Sequence, residues 1–348
     1  MSRRRPVDLR SDTFTVPDDA MRAVMARADV GDDVWGEDPT VRRLEERVAE
    51  LLGKQAAMYT PSGTMANLCA VLVQTHHGDE MVSDTEAHIV VYEVAGAAAI
   101  GGVQLRLIDY GPRAAPDAAA VRGAVRVANI HHPVSRLLTL ENTHNRRGGA
   151  AVSRERGDEA AGAAHDAGMR VHCDGARLFN AAVALDVPAE ALVASCDTVS
   201  VCFSKGLGAP VGSALAGDSA TIEQARRWRK RLGGGMRQAG IIAAGALHAL
   251  ENNRARLAED HANARRLADA LADVPGVEPV QPAIPTNIVM LRTPVPAAEV
   301  VAAAAREGVL VTEMDRNLLR CMTYLGIDSD AVDEAARVLR RVLAHVPA

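Results

Sequence analysis

The sequence predicts an α/β fold: a mostly parallel central sheet with helices on both faces, and a smaller C-terminal α+β region. Three observations carry this. Strand-like and helix-like segments alternate from about residue 40 to 250, the pattern of a sheet with helical crossovers. That register breaks at Pro275-Gly276, with Pro279, Pro282 and Pro285 close behind. Finally, 348 residues are too many for one small core. The expected organisation is an N-terminal segment over 1–20, a large domain over 21–250 and a small one over 251–348.

The first clear helix begins at Asp38-Pro39, an N-cap followed by a residue suited to the first helical position. Val41, Leu44, Val48, Leu51 and Leu52 form its apolar stripe, and Gly53 fits its stop. Strands are expected over 80–83, 103–109, 137–141, 169–173, 198–203 and 212–216. A long helix with few breakers is expected over 238–272, then short strands over 287–291, 309–311 and 318–322 with two helices.

Bulk properties exclude several functions. A net charge of −5, with 48% apolar and 24% charged residues, gives no sign of nucleic-acid binding. The basic start Arg3-Arg4-Arg5 leads into Pro6-Val7-Asp8 and not into an apolar run, so it does not read as a secretory signal. No stretch of about 18 apolar residues predicts a membrane span. Five cysteines, odd in number and without a CxxC pair, fit a reducing cytoplasm.

The chain has 39 basic side chains, of which only Lys54, Lys205 and Lys230 are lysine. Arginine cannot be deprotonated in a protein, whereas a lysine amine can attack a carbonyl. Lys205 follows the strand-like run 198–203, and Asp174 ends the run 169–173. A pyridoxal phosphate (PLP) enzyme needs such a pair: an amine for the aldehyde and an acid for the pyridine nitrogen. The competing reading is a lysine closing a strand and an aspartate capping a helix, and the pair alone does not decide.

Further residues complete the pattern. Ser62-Gly63-Thr64 precedes a helical run over 66–74, where backbone N–H groups and the Thr64 hydroxyl could bind a phosphate; most such triplets are plain turns. His88, with Tyr92 four residues on, could stack on a pyridine ring, against the alternative of a satisfied core histidine. His131 is a second candidate; with His132 beside it a surface loop is equally natural, and no other His or Cys stands at a zinc-like spacing. Arg177, three residues after Asp174, could grip a carboxylate, although the chain is rich in surface arginines. Arg320 interrupts the apolar run 318–322, where an unpaired charge would be costly. Lys230 and Arg237 flank Gly233-Gly234-Gly235 and could reach a phosphate in their own site or a neighbour's; a solvated basic stretch explains them equally well.

Taken in order, these segments resemble the low-specificity L-threonine aldolases, PLP enzymes of the aspartate-aminotransferase fold (fold type I). The resemblance rests on Asp8-Leu9-Arg10-Ser11-Asp12-Thr13, on Gly31 through Thr40, on Pro61-Ser62-Gly63-Thr64-Met65 and on Leu140-Glu141-Asn142-Thr143-His144-Asn145. It continues with Asp174-Gly175-Ala176-Arg177, Ser204-Lys205-Gly206-Leu207 and Gly233 through Gly240. It implies that Lys205 holds PLP covalently, that Asp174 pairs with the ring nitrogen and that His88 stacks on the ring. Gly63 and Thr64 would bind the phosphate, with Ser204 and Arg177 also at the cofactor and Lys230 and Arg237 arriving from an adjacent subunit of a homotetramer. Ser11, Arg177 and Arg320 would hold the substrate carboxylate, with Tyr92 and His131 lining the rest of the pocket and His88 or His131 acting as base. The implied reaction is retro-aldol cleavage of L-threonine and L-allo-threonine to glycine and an aldehyde. Another PLP reaction, such as β-elimination or hydroxymethyl transfer, or a catalytically silent relative, is the alternative. Two departures bear on the pocket: Thr323-Tyr324 where the family pattern has Thr-His, and the loop His132-Pro133-Val134-Ser135-Arg136.

Overall fold

The computed structural model describes residues 6–281 and 283–345; Arg3, Arg4, Arg5 and Pro282 lie outside them. At its centre is a seven-stranded sheet. Its spatial order is Ala56–Thr60, Ser213–Gly217, Thr198–Cys202, Arg170–Gly175, Ser135–Glu141, Glu80–Asp84 and Gln104–Ile108. The last five run parallel, and Ser213–Gly217 is antiparallel to both its neighbours. The inner strands, buried on both faces, read as apolar runs without alternation, which is why most were visible in the sequence, while the edge strand Gln104–Ile108 keeps exposed positions. Ala56–Thr60 was not: Ala-Ala-Met-Tyr-Thr is poor in β-branched residues, yet its side chains are mostly buried against the sheet's helices. The helix Asp19–Ala26, capped by the Asp18 carboxylate, also precedes the one expected to be first.

The expected long helix over 238–272 is two, Gly240–Asn252 and Leu257–Leu271. The break has a cause in side-chain hydrogen bonds. Asn253 Nδ2 donates to the Leu207 carbonyl at 2.8 Å, and Arg254 Nε donates to the Leu250 carbonyl at 2.7 Å. The first bond holds the chain to the loop that follows Lys205, and the second closes the end of the preceding helix on itself, so the chain is redirected at that point.

Beyond the break a second hydrophobic core forms, built on Ala264, Leu267, Val289, Leu319 and Val338. It backs an antiparallel sheet ordered Thr312–Asp315, Leu318–Met322, Ile288–Arg292, Glu278–Pro279. Leu9 is buried in this same core, and Val7–Asp8 pairs parallel with Val309–Leu310. The N-terminal strand is thus fastened to the C-terminal region, and the next residues, Ser11 and Asp12, are delivered to the cleft facing the large sheet.

Candidate active site

The parallel strands place the chemistry. Glu141 lies opposite Asp174 and Asp174 opposite Ser200, so Glu141, Asp174 and the chain leading to Lys205 leave the sheet side by side at its C-terminal edge. That edge is where open α/β sheets bind ligands. A cavity of about 490 Å³ opens there, lined by Ser11, His88, Tyr92, Asn145, Arg177, Lys205 and Arg320, among others.

Its floor is a hydrogen-bonded network. Asp174 is buried; Oδ1 accepts from the Ala176 N–H at 3.0 Å and Oδ2 from Asn67 Nδ2 at 2.8 Å. Asn67 is held in turn, its Oδ1 within 2.7 Å of Ser200 Oγ and 3.1 Å of His172 Nε2. Burial alone would favour the neutral acid, but nearby His88 and Lys205 and the Asn67 amide hold the Asp174 carboxyl below the usual range. The floor therefore carries an ionised acid, as a pyridinium partner must.

Asn67 Nδ2 also donates to Glu93 Oε1 at 2.8 Å, and the same oxygen lies 2.9 Å from His88 Nδ1. Ligand atoms of His88, Glu93 and Asp174 all fall within 4.8 Å of one another. The Asn67 donor is aimed at both carboxylates, an arrangement that suits anions sharing a hydrogen-bond donor better than anions sharing a metal ion. Burial works to lower the His88 pKa, but the Glu93 contact and the charge of Asp174 override it and raise it. The imidazole packs beside Tyr92, with ring centroids 5.4 Å apart. Its backbone N–H donates to Glu141 Oε2 at 2.7 Å, so strand Ser135–Glu141 fixes this turn.

The wall is different. Lys205 is half-buried, and its amine makes no hydrogen bond among the described residues. Behind it, Gly63 opens the helix Gly63–Gln74, with Ser62 Oγ accepting from the Met65 N–H at 3.2 Å. A Cβ at Gly63 would stand 2.7 Å from Cys202 Sγ, so glycine is required where this N-terminus meets the strand leading to Ser204 and Lys205. An unencumbered amine, an ionised acid on the floor and a helix N-terminus close by make a donor set that fits PLP.

Two arginines share the cleft in unequal states. Arg177 grips buried Asp12 bidentately, Nε to Oδ2 at 2.7 Å and Nη2 to Oδ1 at 2.8 Å. Arg320 Nη1 donates to Asn145 Oδ1 at 2.8 Å and Nη2 to the Arg10 carbonyl at 3.2 Å, while buried Nε has no partner among the described residues. Asn145 is braced by its own N–H donating to Glu141 Oε1 at 2.8 Å. No carboxylate neutralises Arg320 among the described residues, and burial with Arg177 nearby lowers its pKa. It is a cation awaiting an anion.

Not every residue singled out from the sequence converges here. His131 is exposed on its loop, its N–H donating to Asn129 Oδ1 at 3.0 Å, and its own chain does not bring it to this cavity. Lys230 lines a separate cavity of about 600 Å³ with Asp33 and Trp35, and Arg237 Nη1 donates to Asp32 Oδ2 at 2.8 Å. Within one chain neither cation lines the cavity that holds Lys205. Tyr324, the departure from the family pattern, is buried and donates to the Asp8 carbonyl at 2.7 Å; it fastens the N-terminal strand and does not line the pocket. Asn67, Glu93, Asp12 and Asn145 were not singled out as site residues. Asp12 and Asn145 stand inside recognisable segments, but Asn67 and Glu93 sit in helical and loop stretches without any local signal.

The chain matches known proteins over most of its length. The family described as beta-eliminating lyase matches residues 8–294. A probable low-specificity L-threonine aldolase 2 of Arabidopsis thaliana is 46% identical over 293 residues, covering 83% of this chain and 82% of that protein. A low specificity L-threonine aldolase of Escherichia coli K12 is 40% identical over 342 residues, 97% of this chain and all of that one. Among solved structures, the Leishmania major threonine aldolase superposes with a TM-score of 0.82 at 19% identity, covering 97% of this chain and 100% of that one. A Sphingomonas wittichii serine palmitoyltransferase gives 0.78 at 18% identity, covering 99% and 90% respectively. The last two likenesses establish the fold, fold type I; the protein belongs to the beta-eliminating lyase family of PLP-dependent enzymes, among the low-specificity L-threonine aldolases.

Proposed function

We propose that this protein cleaves L-threonine, L-allo-threonine and related β-hydroxy-α-amino acids to glycine and an aldehyde. The observation that carries the reading is the pairing, across one cavity, of a Lys205 amine and an Arg320 Nε that both lack a hydrogen-bond partner among the described residues. One group suits an aldehyde cofactor and the other an amino-acid carboxylate.

Lys205 would hold PLP covalently, Asp174 would pair with its ring nitrogen, His88 would lie over the ring, and Gly63, Thr64 and Ser204 would take the phosphate. When bound, PLP supplies the electron sink for the pair released as the substrate's Cα–Cβ bond breaks. Arg320 takes the carboxylate in a charge-assisted bond, Ser11 adds its hydroxyl, and Arg177 presents the side of its guanidinium that Asp12 leaves free. Fixing the carboxylate turns the Cα–Cβ bond to the orientation in which it breaks, and such positioning contributes several kcal/mol on the scale of effective molarities. His88 removes the β-hydroxyl proton, directly or through a water. His131 was the other candidate; its exposed position favours His88. Tyr92, whose hydroxyl accepts from Arg146 Nη1 at 3.0 Å, closes the side where the departing aldehyde would sit.

The finer expectations join this proposal. Exposed Trp35, Val94 and Ile130 (77%, 92% and 95% accessible) support burial between subunits of a homotetramer, which would let Lys230 and Arg237 serve a neighbouring site. All five cysteines are free and buried, as suits the cytoplasm. No described helix is long and apolar enough to cross a membrane. Assay of purified protein with both threonine diastereomers tests the reading. Glycine with acetaldehyde is expected; ammonia with a keto acid would replace it with β-elimination.

A further inference from the structure

Glu93 is a buried carboxylate with no part in holding cofactor or substrate. Only 5% of it is accessible, and its Oε1 receives two contacts: Asn67 Nδ2 at 2.8 Å and His88 Nδ1 at 2.9 Å. Burial and the charge of Asp174 push the Glu93 carboxyl up, against the His88 and Asn67 bonds that pull it down. Oε1 already accepts the Asn67 hydrogen, so it is the acceptor toward the ring as well, and the hydrogen between the two groups is assigned to Nδ1. His88 Nε2 makes no hydrogen bond among the described residues, and the ring lines the cavity. A neutral imidazole has one N–H and one lone pair, and the bond at one nitrogen decides the role of the other.

We propose that Glu93 is the positioning residue for His88: by accepting the Nδ1 hydrogen it fixes the ring's tautomer and tilt, and it reserves Nε2 as the lone-pair nitrogen facing the reacting atoms. In the proton transfer, Nε2 takes the β-hydroxyl proton, and the Glu93 carboxylate stabilises the resulting imidazolium without itself changing state. The arrangement also couples His88 to the floor, because one Asn67 amide group donates to both Glu93 and Asp174. Without Glu93 the stacked ring would face Asp174 with no partner of its own and would be free to rotate about χ2. The inference deepens the aldolase reading by assigning what prepares its base.

The groups facing the imidazole are Glu93 on the same turn, Asp174 and Lys205 from the ends of neighbouring strands, and Tyr92. Glu141 holds the backbone N–H of the same turn. Of these, Glu93 alone bonds the ring, so its removal should act on the ring first.

The test begins with full-length protein carrying 15N-labelled histidine and no cofactor, with the His88 signals assigned by their loss in His88→Asn. The expected result above neutral pH is a protonated Nδ1 and a bare Nε2. Glu93→Ala should revert to the Nε2–H tautomer common in free histidine. Glu93→Gln keeps an acceptor oxygen but loses the charge. It should keep the Nδ1–H form, lower kcat about 100-fold with KM little changed, and move the acid limb of the kcat profile down by about one pH unit. An Nε2–H tautomer in the unaltered protein would overturn the proposal, and so would an unmoved acid limb in Glu93→Gln. The tautomer is read without substrate. A protein showing Nδ1–H but releasing no aldehyde would therefore sink the aldolase reading and leave the placement of His88 standing.

Discussion

The floor and the wall of the cleft are built on opposite terms. On the floor, Asp174, Asn67, His172, Ser200 and Glu93 satisfy one another, and nearly all are fully buried. On the wall, among the described residues, Lys205 has no hydrogen bond and Arg320 leaves a buried Nε unpaired, and Tyr92 is 42% exposed. Buried polar groups are ordinarily satisfied, and an orphaned donor costs about 1–3 kcal/mol. The wall therefore holds cost in reserve that a ligand can relieve, while the floor is rigid and holds its charges fixed. Arg177 and Arg320 show the contrast in a single residue type. One is already neutralised by Asp12 and has only its free side to offer a substrate; the other has no anion among the described residues and can receive the substrate carboxylate directly.

Removing the wall's amine should have the largest effect. Lys205→Ala is expected to abolish turnover together with the near-ultraviolet and visible absorbance of bound cofactor, as spectra and assay would both read. Replacing the floor's acid comes next. Asp174→Ala should slow cleavage by at least about 100-fold, the scale of losing a preorganised electrostatic contact, and weaken cofactor retention on dialysis. Arg320→Ala should lower kcat/KM by about 10- to 100-fold, as expected for one charge-assisted contact, with unfolding little changed. Asp12→Asn should do the reverse. It leaves Arg177 buried without its counter-charge, at a cost of about 3–5 kcal/mol in denaturant unfolding. If the two variants affected stability and kinetics alike, the division between supporting and receiving arginine would fail.

The smallest effect belongs to a group buried behind the Lys205 loop. Burial raises the Asp260 carboxyl to about 6, despite the Arg256 guanidinium beside it. Between its ordinary value near 4 and about 6, the folded chain holds a proton that the unfolded chain has released. Stability therefore falls as pH rises through that window. Asp260→Asn should gain on the original protein between pH 4.5 and 7; a constant difference in unfolding free energy would remove this group from the account.

The same contrast explains what could be read from the sequence. Lys205 stood out because lysine is rare here, and Asp174 because it ends an apolar strand. The inner parallel strands were legible because both of their faces are buried, unlike the edge strand Gln104–Ile108. The floor's supporting partners were not. Asn67 sits in mid-helix, 107 residues before the Asp174 it serves, and Glu93 follows a single helical turn. Their roles come from the sheet order, which places helix Gly63–Gln74 against the strand ends; no local pattern encodes it. Arg320 was legible as a charge in an apolar strand. That Arg177 is already neutralised was not, because Asp12 arrives on the turn Asp12–Phe14, which follows an N-terminal strand held by the C-terminal region. The break between Asn252 and Leu257 was hidden for a similar reason: it depends on a hydrogen bond to the Leu207 carbonyl.

The central claim is that Lys205 is the amine that carries the cofactor. Borohydride reduction of the PLP-loaded protein, followed by peptide mapping, tests it directly, since only Lys54, Lys205 and Lys230 compete. Lys54 is already committed, donating to the Val193 and Cys196 carbonyls at 2.8 and 2.6 Å. The reduced label should fall on the peptide containing Lys205 and on no other; stoichiometric label on Lys54 or Lys230 with Lys205 unmodified would show that a different amine carries the cofactor.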